Sequence, residues 1–384
     1  MNKVPKLRFK EFSGEWEEKR LGEIFEISKA KYNPLKEIKE YPCIELESLS
    51  QETGKILKTF NSLEQKSIKN KFIKGEVLFG KLRPYLKKYL YSEFDGVCSS
   101  EIWVFNSKIN SNKFIYYFIQ GENFIALANT TSGTKMPRAD WNLMKNEYFY
   151  IPFLQEQEKI GNFLSSVDKK ISIVEEKLNL FNQYKKGIMQ KIFNQELRFK
   201  DENGNNYPEW EEKKLEKIAD CLDNKRKPLN STEREKIKGN IPYYGANGIQ
   251  GYINNFLFDE ELVLLAEDGG NFEDFSIKPI AQYICGKSWV NNHAHILKGK
   301  KETLTKFLFY SLVHKDIRNF INGTSRSKLN KSDMLNIIIN LPCIEEQQKI
   351  ADFLSAIDDK IENISSNLES LKLFKKSMLQ KMFV

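Results

Sequence analysis

The sequence has neither a long apolar run nor a leader-like start. No stretch of about 18 apolar residues, the length of a membrane-spanning helix, occurs in the 384 residues. Residues 1–6 lack the apolar run of a secretory signal. These absences predict a soluble, cytoplasmic protein with no membrane partner.

Cysteine is scarce as well. The five cysteines (Cys43, Cys98, Cys221, Cys285 and Cys343) lie far apart, and none forms a C-x-x-C pair. The pattern supports neither a disulfide framework nor a zinc knuckle, so we expect reduced thiols.

A strong excess of one charge is also missing. The 60 Lys and Arg residues against 52 Asp and Glu give a formal net charge of +8, which is mild for 384 residues. This balance permits a polyanionic partner without demanding one. The length predicts two or three domains, and a hydrophobic content of 40% can fill a core in each, which excludes overall disorder.

The sequence repeats itself once. Residues 152–194 align without a gap on residues 342–384 at a constant offset of 190, with identity at 17 of 43 positions. Shorter matches join residues 7–10 to 197–200 and, after a four-residue insertion, residues 16–21 to 210–215. We call these repeated segments the frame.

Each frame encloses an insert that differs between the halves. The inserts, residues 23–150 and 217–340, share only faint similarity. Constant ends with divergent middles suggest two modules that do one job on two different targets.

Both long repeated segments carry apolar residues at alternating steps of four and three. This seam covers residues 160–192 in the first segment and residues 350–382 in the second. A mean period of 3.5 over about five heptads predicts a long coiled-coil helix in each. One lysine interrupts each seam, Lys185 and Lys375, and such a polar residue can fix register and orientation.

The order of segments favours antiparallel pairing of the two helices. The first helix runs into the second module, whose far end begins the second helix, whereas parallel pairing would need a return path of full length. A helix of roughly 39 residues spans about 58 Å, which could hold two modules over DNA sites about 34 Å apart. The alternative is that each helix packs only on its own domain.

Each insert mixes strand-like runs with helical stretches, so we predict an α+β fold for both. The strand-like runs are residues 76–79 and 101–105 in the first insert, and residues 262–265 and 295–297 in the second. Helical stretches near residues 112–128 and 303–321 precede the final loop of each insert.

Basic, aromatic and hydroxyl residues cluster in the expected loops. Cations and hydroxyls can bind phosphates, whereas Arg, Lys and Asn can read base edges. One such loop is more often a solvated turn, but here it recurs before the repeated helix in both modules. The predicted DNA-binding residues of the first module are Lys81, Arg83, Tyr85, Lys87, Thr131, Ser132, Thr134, Lys135 and Arg138. Those of the second are Lys225, Arg226, Tyr243, Tyr244, Asn247, Asn271, Asn292, His293, Ser325, Arg326, Ser327 and Lys328.

Three local motifs look catalytic, but each is incomplete. Residues 281–288 fit a relaxed phosphate loop, yet bulky residues fill it and a strand-like pair follows. Residues 240–243 resemble the motif with which amino-methyltransferases hold an amine, yet no glycine-rich cofactor loop precedes them. His293 and His295 could share a strand face as metal ligands, but no clear carboxylate completes the set. We therefore predict no catalytic centre, metal site or cofactor site in this chain.

The order frame, insert and heptad helix, present twice, resembles the specificity subunit of type I restriction-modification systems over essentially the whole chain. The similar stretches are Trp16-Glu17, Leu21-Gly22, residues 78–86, 241–248, 267–272 and 289–295, and the Pro-x-x-x-Glu-Gln start of each helix. Each stretch is weak alone, and the combination is specific.

The resemblance implies a non-catalytic DNA reader with two target recognition domains joined by two long antiparallel coiled-coil helices. Residues 1–150 would hold the first domain, 151–194 the central spacer helix, 195–340 the second domain and 341–384 the C-terminal spacer helix. Each domain would read one half of an interrupted DNA sequence, and the helices would set the gap.

The implied partners are double-stranded DNA, two modification subunits and up to two restriction subunits that act as motor-nucleases. S-adenosylmethionine, ATP and Mg would belong to those partners. Two alternatives stay open. The chain could be an anti-restriction or scaffold protein that assembles subunits without reading DNA, or a stand-alone methyltransferase, which would have to bind S-adenosylmethionine by itself.

Overall fold

A computed structural model describes residues 3–130, 136–323 and 327–384 of the chain. The chain divides into two compact units. The first unit is Met1–Lys177 with Ile364–Val384, and the second unit is Leu178–Asn363. The four segments expected from the sequence are cut at other positions, and their boundaries stay a prediction. In the parts of the chain so described, no helix is long and apolar enough to cross a membrane.

The secondary structure follows the frame and insert pattern. The strands up to the first long helix are β1 (Glu17–Arg20), β2 (Glu26–Ile27), β3 (Lys31–Tyr32), β4 (Pro42–Ile44), β5 (Phe60–Asn61), β6 (Lys69–Phe72), β7 (Val77–Gly80), β8 (Tyr89–Tyr91), β9 (Gly96–Cys98), β10 (Ile102–Asn106) and β11 (Tyr148–Ile151). The helices are α1 (Leu21–Ile24), α2 (Asn112–Phe118), α3 (Glu122–Ala128), α4 (Trp141–Met144) and the long α5 (Leu154–Phe193).

The second half of the chain follows the same plan, with an additional helix α7 and an additional strand pair β21–β22. Its strands are β12 (Glu211–Lys214), β13 (Ala219–Cys221), β14 (Lys238–Gly245), β15 (Gly248–Ile253), β16 (Phe258–Asp259), β17 (Leu262–Ala266), β18 (Ala281–Ile284), β19 (Lys287–Val290), β20 (Ala294–Gly299), β21 (Ile321–Asn322), β22 (Lys328–Leu329) and β23 (Ile338–Leu341). Its helices are α6 (Leu215–Ile218), α7 (Ser231–Lys236), α8 (Thr305–Leu312), α9 (Lys331–Leu335) and the long α10 (Ile344–Met382).

The two inserts share one strand topology, except that, within the described residues, β3 of the first insert has no counterpart in the second. A four-stranded antiparallel sheet has the order β2-β10-β7-β8 in the first unit and β13-β20-β17-β18 in the second. The other sheet has the order β3-β6-β9-β4-β5 in the first unit and β16-β19-β14-β15 in the second, and each contains one parallel pair, β4–β9 or β14–β19. The α+β expectation is confirmed for both inserts.

The central strands explain why these residues form sheets. β7 and β17 are buried along their whole length, and their apolar runs of four and five residues are typical of a strand covered on both faces. The frame strand β1 pairs with β11 at the end of the first insert, and β12 pairs with β23 at the end of the second, so each frame closes on its insert in the same way. Residues 281–288 form β18, a turn and β19, so the helix that a phosphate loop needs does not follow.

The long helices pair antiparallel within each unit. In the first unit Asp168 of α5 contacts Lys375 of α10, and Glu175 contacts Lys372, so the numbering runs in opposite directions. In the second unit Lys185 of α5 contacts Asp358 of α10, and the later residues Met189 and Ile192 of α5 share a core cluster with the earlier residues Ile350 and Leu354 of α10. The predicted antiparallel pairing is therefore confirmed inside both units, and the alternative in which each helix packs only on its own domain is wrong.

The seam residues bury where the sequence predicts. Ile160 and Leu164 of α5 belong to the core cluster of the first unit, which also contains Trp16 of the frame. Ile350 and Leu354 of α10 occupy the equivalent place in the core of the second unit. Burial of these side chains ties each frame to its insert.

Candidate nucleic-acid interface

One buried ion pair holds the frame together in each unit. In the first unit Arg8 donates from Nε and Nη2 to the two carboxylate oxygens of Glu156, at 2.8 and 2.7 Å. The indole N–H of Trp16 donates to the same carboxylate at 3.4 Å. Because Glu156 is only 1% exposed, its charge is balanced inside the protein. The second unit repeats these contacts with Arg198, Glu346 and Trp210.

The glutamine after each of these glutamates fixes the start of the long helix. The Gln157 side-chain amide donates to the Pro152 carbonyl at 2.8 Å, and its oxygen accepts from the Ser111 N–H at 3.0 Å. Gln347 likewise donates to the Pro342 carbonyl at 2.8 Å. The Pro-x-x-x-Glu-Gln motif is therefore a structural clamp between the insert and the long helix.

The seam lysines form matching clusters with an aspartate and a tyrosine. In the first unit Lys375 Nζ lies 2.7 Å from the Asp168 carboxylate, which accepts from the Tyr117 hydroxyl at 2.8 Å. Burial, followed by the Asp168 charge, raises the pKa of Tyr117, so this hydroxyl keeps its hydrogen and donates it. The second unit repeats the cluster with Lys185, Asp358 and Tyr310. The sequence revealed both lysines but gave no indication of the tyrosines, because these lie in the divergent inserts.

The two basic loops predicted in the first unit lie side by side. The Arg83 N–H donates to the Pro137 carbonyl at 2.8 Å, and the Ala139 N–H donates to the Lys81 carbonyl at 2.9 Å. Arg83 adopts a left-handed conformation with φ +53° immediately before a 3-10 turn, which bends the loop after β7 sharply. The structure therefore brings together loops that are more than 50 residues apart in sequence.

The other predicted residues of the first unit have mixed surroundings. Tyr85 is 52% exposed. Lys87 pairs with Glu52 at 3.0 Å, and Arg138 pairs with Glu101 at 3.0 Å, so both cations also serve local contacts. Thr131, Ser132, Thr134 and Lys135 lie outside the described residues.

In the second unit predicted residues converge where β14, β17 and β19 end. The Asn247 amide donates to the Gly269 carbonyl at 2.7 Å, and His293 Nδ1 lies 2.6 Å from the Asp268 carboxylate. A cavity of about 330 Å³ lies among these groups and Gln250. Its lining of amide, carboxylate and imidazole groups suits hydrogen bonding to base edges.

Arg226 and Lys328 meet at one carboxylate beside this cavity. Arg226 Nη1 donates to Glu267 at 2.5 Å and to the Ala294 carbonyl at 3.0 Å, and the Arg226 side chain is 16% exposed. Lys328 Nζ lies 3.2 Å from Glu267, but this side chain is 49% exposed. Lys225, next to Arg226, is exposed.

One predicted residue, Tyr243, turns away from this surface. Tyr243 is 2% exposed, and its hydroxyl accepts from the Leu229 N–H at 3.0 Å. Because side chains alternate along β14, Tyr243 faces the core while Tyr244 is half-buried. We therefore assign Tyr243 a packing role. The Asn271 amide donates to the Pro279 carbonyl at 3.1 Å. Asn292 is exposed and Ser327 half-buried, and Ser325 and Arg326 lie outside the described residues.

The side chains of Asp223, Glu267 and His295 come close enough to chelate a cation, and they form the one such group among the residues with described coordinates. Arg226 and Lys328 already occupy the oxygens of Glu267. His295 contacts an oxygen with each ring nitrogen. A metal ion would have to displace these partners, so the donor set fits an ion-pair network better than a metal site.

Comparison with known proteins gives matches along the chain. The model of the type I restriction modification DNA specificity domain matches residues 13–183 and 207–373, one match in each repeat. A Haemophilus influenzae protein, described as a candidate type I restriction enzyme specificity subunit, is 39% identical over 150 residues, covering 39% of this chain and only 37% of that protein. The type I restriction enzyme MjaVIII specificity subunit of Methanocaldococcus jannaschii is 27% identical over 304 residues, covering 71% of this chain and 69% of that protein.

A solved structure has the same fold. It is a type I restriction-modification system S subunit from M. genitalium, with a TM-score of 0.66, 18% identity and coverage of 99% of both chains. At this identity the likeness concerns the fold alone.

Proposed function

Because the chain belongs to the family of type I restriction modification DNA specificity domains, we propose that it is the subunit that gives a type I restriction-modification enzyme its DNA sequence specificity. Each unit reads one half of a bipartite, interrupted DNA sequence. The long helices set the gap between the halves and dock the modification subunits.

One observation carries this proposal: the same backbone position holds opposite charges in the two units. The Ala139 N–H bonds to the Lys81 carbonyl after β7, and the Leu329 N–H bonds to the Glu267 carbonyl after β17, at 2.9 and 2.7 Å. The next residue is the apolar Leu82 in the first unit and the acidic Asp268 in the second, and each forms a bridge to the second loop, Leu82 with Arg138 and Asp268 with Lys328. A shared scaffold with different side chains at one loop is expected of two modules that recognise different DNA sequences.

In this proposal the chain recognises DNA and catalyses no reaction itself. Its partners are double-stranded DNA, two modification subunits and up to two restriction subunits, and S-adenosylmethionine, ATP and Mg act in those partners. The repeat of residues 152–194 at residues 342–384 supports the pairing of partners, since a repeated frame can present one surface twice.

Methylation mapping of host DNA with and without this gene tests the proposal. We expect one bipartite sequence whose adenine methylation disappears with the gene. Exchange of residues 217–340 for the insert of another family member should change one half of that sequence and leave the other half unchanged. Methylation that is independent of the gene would refute the proposal.

The competing function is that of an anti-restriction or scaffold protein. Alanine at Lys81, Arg83, Arg138, Arg326 and Lys328 separates the two functions. A DNA reader loses DNA binding while subunit assembly persists, whereas a scaffold loses neither.

A further inference from the structure

Beneath the loops that carry the predicted DNA-binding residues, the two units have chemically different side chains at one equivalent position of the sheet. In the first unit Trp103 of β10 pairs in register with Phe79 of β7 and packs against Trp141. In the second unit the corresponding residue of β20 is His295, which pairs in register with Leu265 of β17. An aromatic cluster in one unit is thus replaced by a buried polar group in the other.

His295 links two loops through its ring nitrogens. It is 1% exposed, its Nδ1 lies 2.6 Å from Asp223 Oδ2, and its Nε2 lies 2.8 Å from the Leu329 carbonyl oxygen. The other oxygen of Asp223 accepts from the Ile296 N–H at 2.9 Å. Because one ring nitrogen contacts Asp223 and the other contacts the Leu329 carbonyl oxygen, the imidazole ties the loop after β13 to β22.

Arg226 links the same aspartate to a third loop. Its Nε donates to the Asp223 carbonyl at 3.2 Å, and its Nη2 lies 3.4 Å from the Asp223 carboxylate. Its Nη1 serves Glu267 at 2.5 Å and the carbonyls of Ala294 and Asn292 at 3.0 and 3.4 Å. All three nitrogen atoms of the guanidinium therefore contact acceptor groups of the protein itself.

The carboxylates of this network are ionised. Burial by itself would raise the pKa of Asp223, but His295, the Ile296 N–H and Arg226 together lower it. Burial would likewise raise the pKa of Glu267, which Arg226, His295 and Lys328 lower instead. Because breaking a buried ionic network leaves uncompensated charge, its members hold one another in place.

We infer that Arg226 and His295 are positioning residues of the second unit, which fix the loops that present His293 and Lys328 to the second half-site. Arg226 thereby acts through Glu267 and the backbone of residues 292–294 and does not bind phosphate itself. This inference rests on the proposed function, because it presumes that these loops read DNA.

The test uses the complex of this chain with its modification subunits and a duplex of the mapped sequence. Affinities are measured at several salt concentrations for that duplex and for duplexes with one base pair changed in either half-site. The variants are Arg226→Met, Arg226→Lys and Lys328→Ala, with Arg138→Met of the first unit as the matched control.

We expect Arg226→Met to lose discrimination at the second half-site by about tenfold, the penalty of one mismatched base pair, while discrimination at the first half-site persists. The slope of log affinity against log salt should stay close to the wild-type value, because Arg226 itself makes no phosphate contact and the Lys328 ammonium, on its flexible four-carbon stem, can still reach a phosphate when the loop loosens. Arg226→Lys should not restore discrimination, since one ammonium group cannot reach all the acceptors of the guanidinium. Lys328→Ala should reduce the slope by about 0.9, and Arg138→Met should leave the second half-site unaffected.

The inference is overturned if Arg226→Met reduces the salt slope by about 0.9 with discrimination intact, since Arg226 would then be a phosphate contact. It is also overturned if folded Arg226→Met, checked by its thermal unfolding, discriminates like wild type or loses discrimination equally at both half-sites. If Arg226→Met does not fold, Glu267→Gln and His295→Asn take its place with the same expected and contrary results. A wild-type complex that ignores both half-sites would instead refute the proposed function.

Discussion

The frame ion pair offers the sharpest stability prediction. Glu156→Ala leaves the half-buried Arg8 without its carboxylate and Trp16 without the acceptor of its N–H. Breaking a buried pair by removal of one partner costs about 3–5 kcal/mol. Arg8 keeps the carbonyl of Gly14 as an acceptor, at 2.5 Å, so we expect the lower end, about 3 kcal/mol. Urea unfolding of the full chain measures this loss.

A neighbouring exposed pair provides the control. Lys159 and Glu11 form an ion pair whose side chains are both 49% exposed, so Lys159→Ala should cost much less stability than Glu156→Ala. Hydrogen exchange should place the effect of Glu156→Ala in β1, β11 and the start of α5, and that of Glu346→Ala in β12, β23 and the start of α10. If Glu156→Ala costs no more than Lys159→Ala, the frame is not held by this ion pair and our reasoning about the repeated motif fails.

Three further predictions follow from single sites. Asp168→Asn removes the ion pair to Lys375 but keeps an acceptor for the Tyr117 hydroxyl, so it should cost about 2 kcal/mol in urea unfolding. Asp358→Asn should cost the same in the second unit, and a large difference would contradict the equivalence of the two clusters. Burial lowers the pKa of His314, so the unfolded state binds the proton first and the free energy of unfolding should fall as the pH drops through about 6.5. His314→Gln should flatten this dependence when unfolding is measured at several pH values, and an unchanged profile would exclude His314 as its source. Lys81→Ala and Arg83→Ala should each weaken DNA binding and reduce its salt slope by about 0.9 if they bind phosphate, whereas an unchanged slope would assign them to base edges or to the protein surface.

The repeat made the frame predictable from sequence. Identity at a constant offset marks residues whose partners also repeat, and Glu156 with Gln157 proves to be a clamp in both units. The heptad pattern located both long helices to within a few residues, because an apolar seam of period 3.5 over five heptads is typical of long helices that pack on one another.

The loops were less predictable, since burial there depends on partners far along the chain. Arg226 meets Glu267, which is 41 positions away, and His295 meets Asp223 across 72 positions. Composition alone suggested that Arg226 faces DNA, whereas its contacts turn it inward. Tyr243 illustrates the same limit, because the face of a strand that meets the core is set by the neighbouring sheet.

The shared topology of the inserts was also hidden from the sequence. Equivalent strands need only to be apolar at buried positions, so Val77–Gly80 and Leu262–Ala266 can diverge while they keep the same neighbours. The largest difference lies at the position held by Trp103 in the first unit and by His295 in the second, because the buried His295 also needs Asp223 and its partners. At this position the loop therefore differs between the two units together with the layer beneath it. It follows that transplanting the reading loops of the second unit onto the first without Asp223, Arg226 and His295 should fail to carry their specificity.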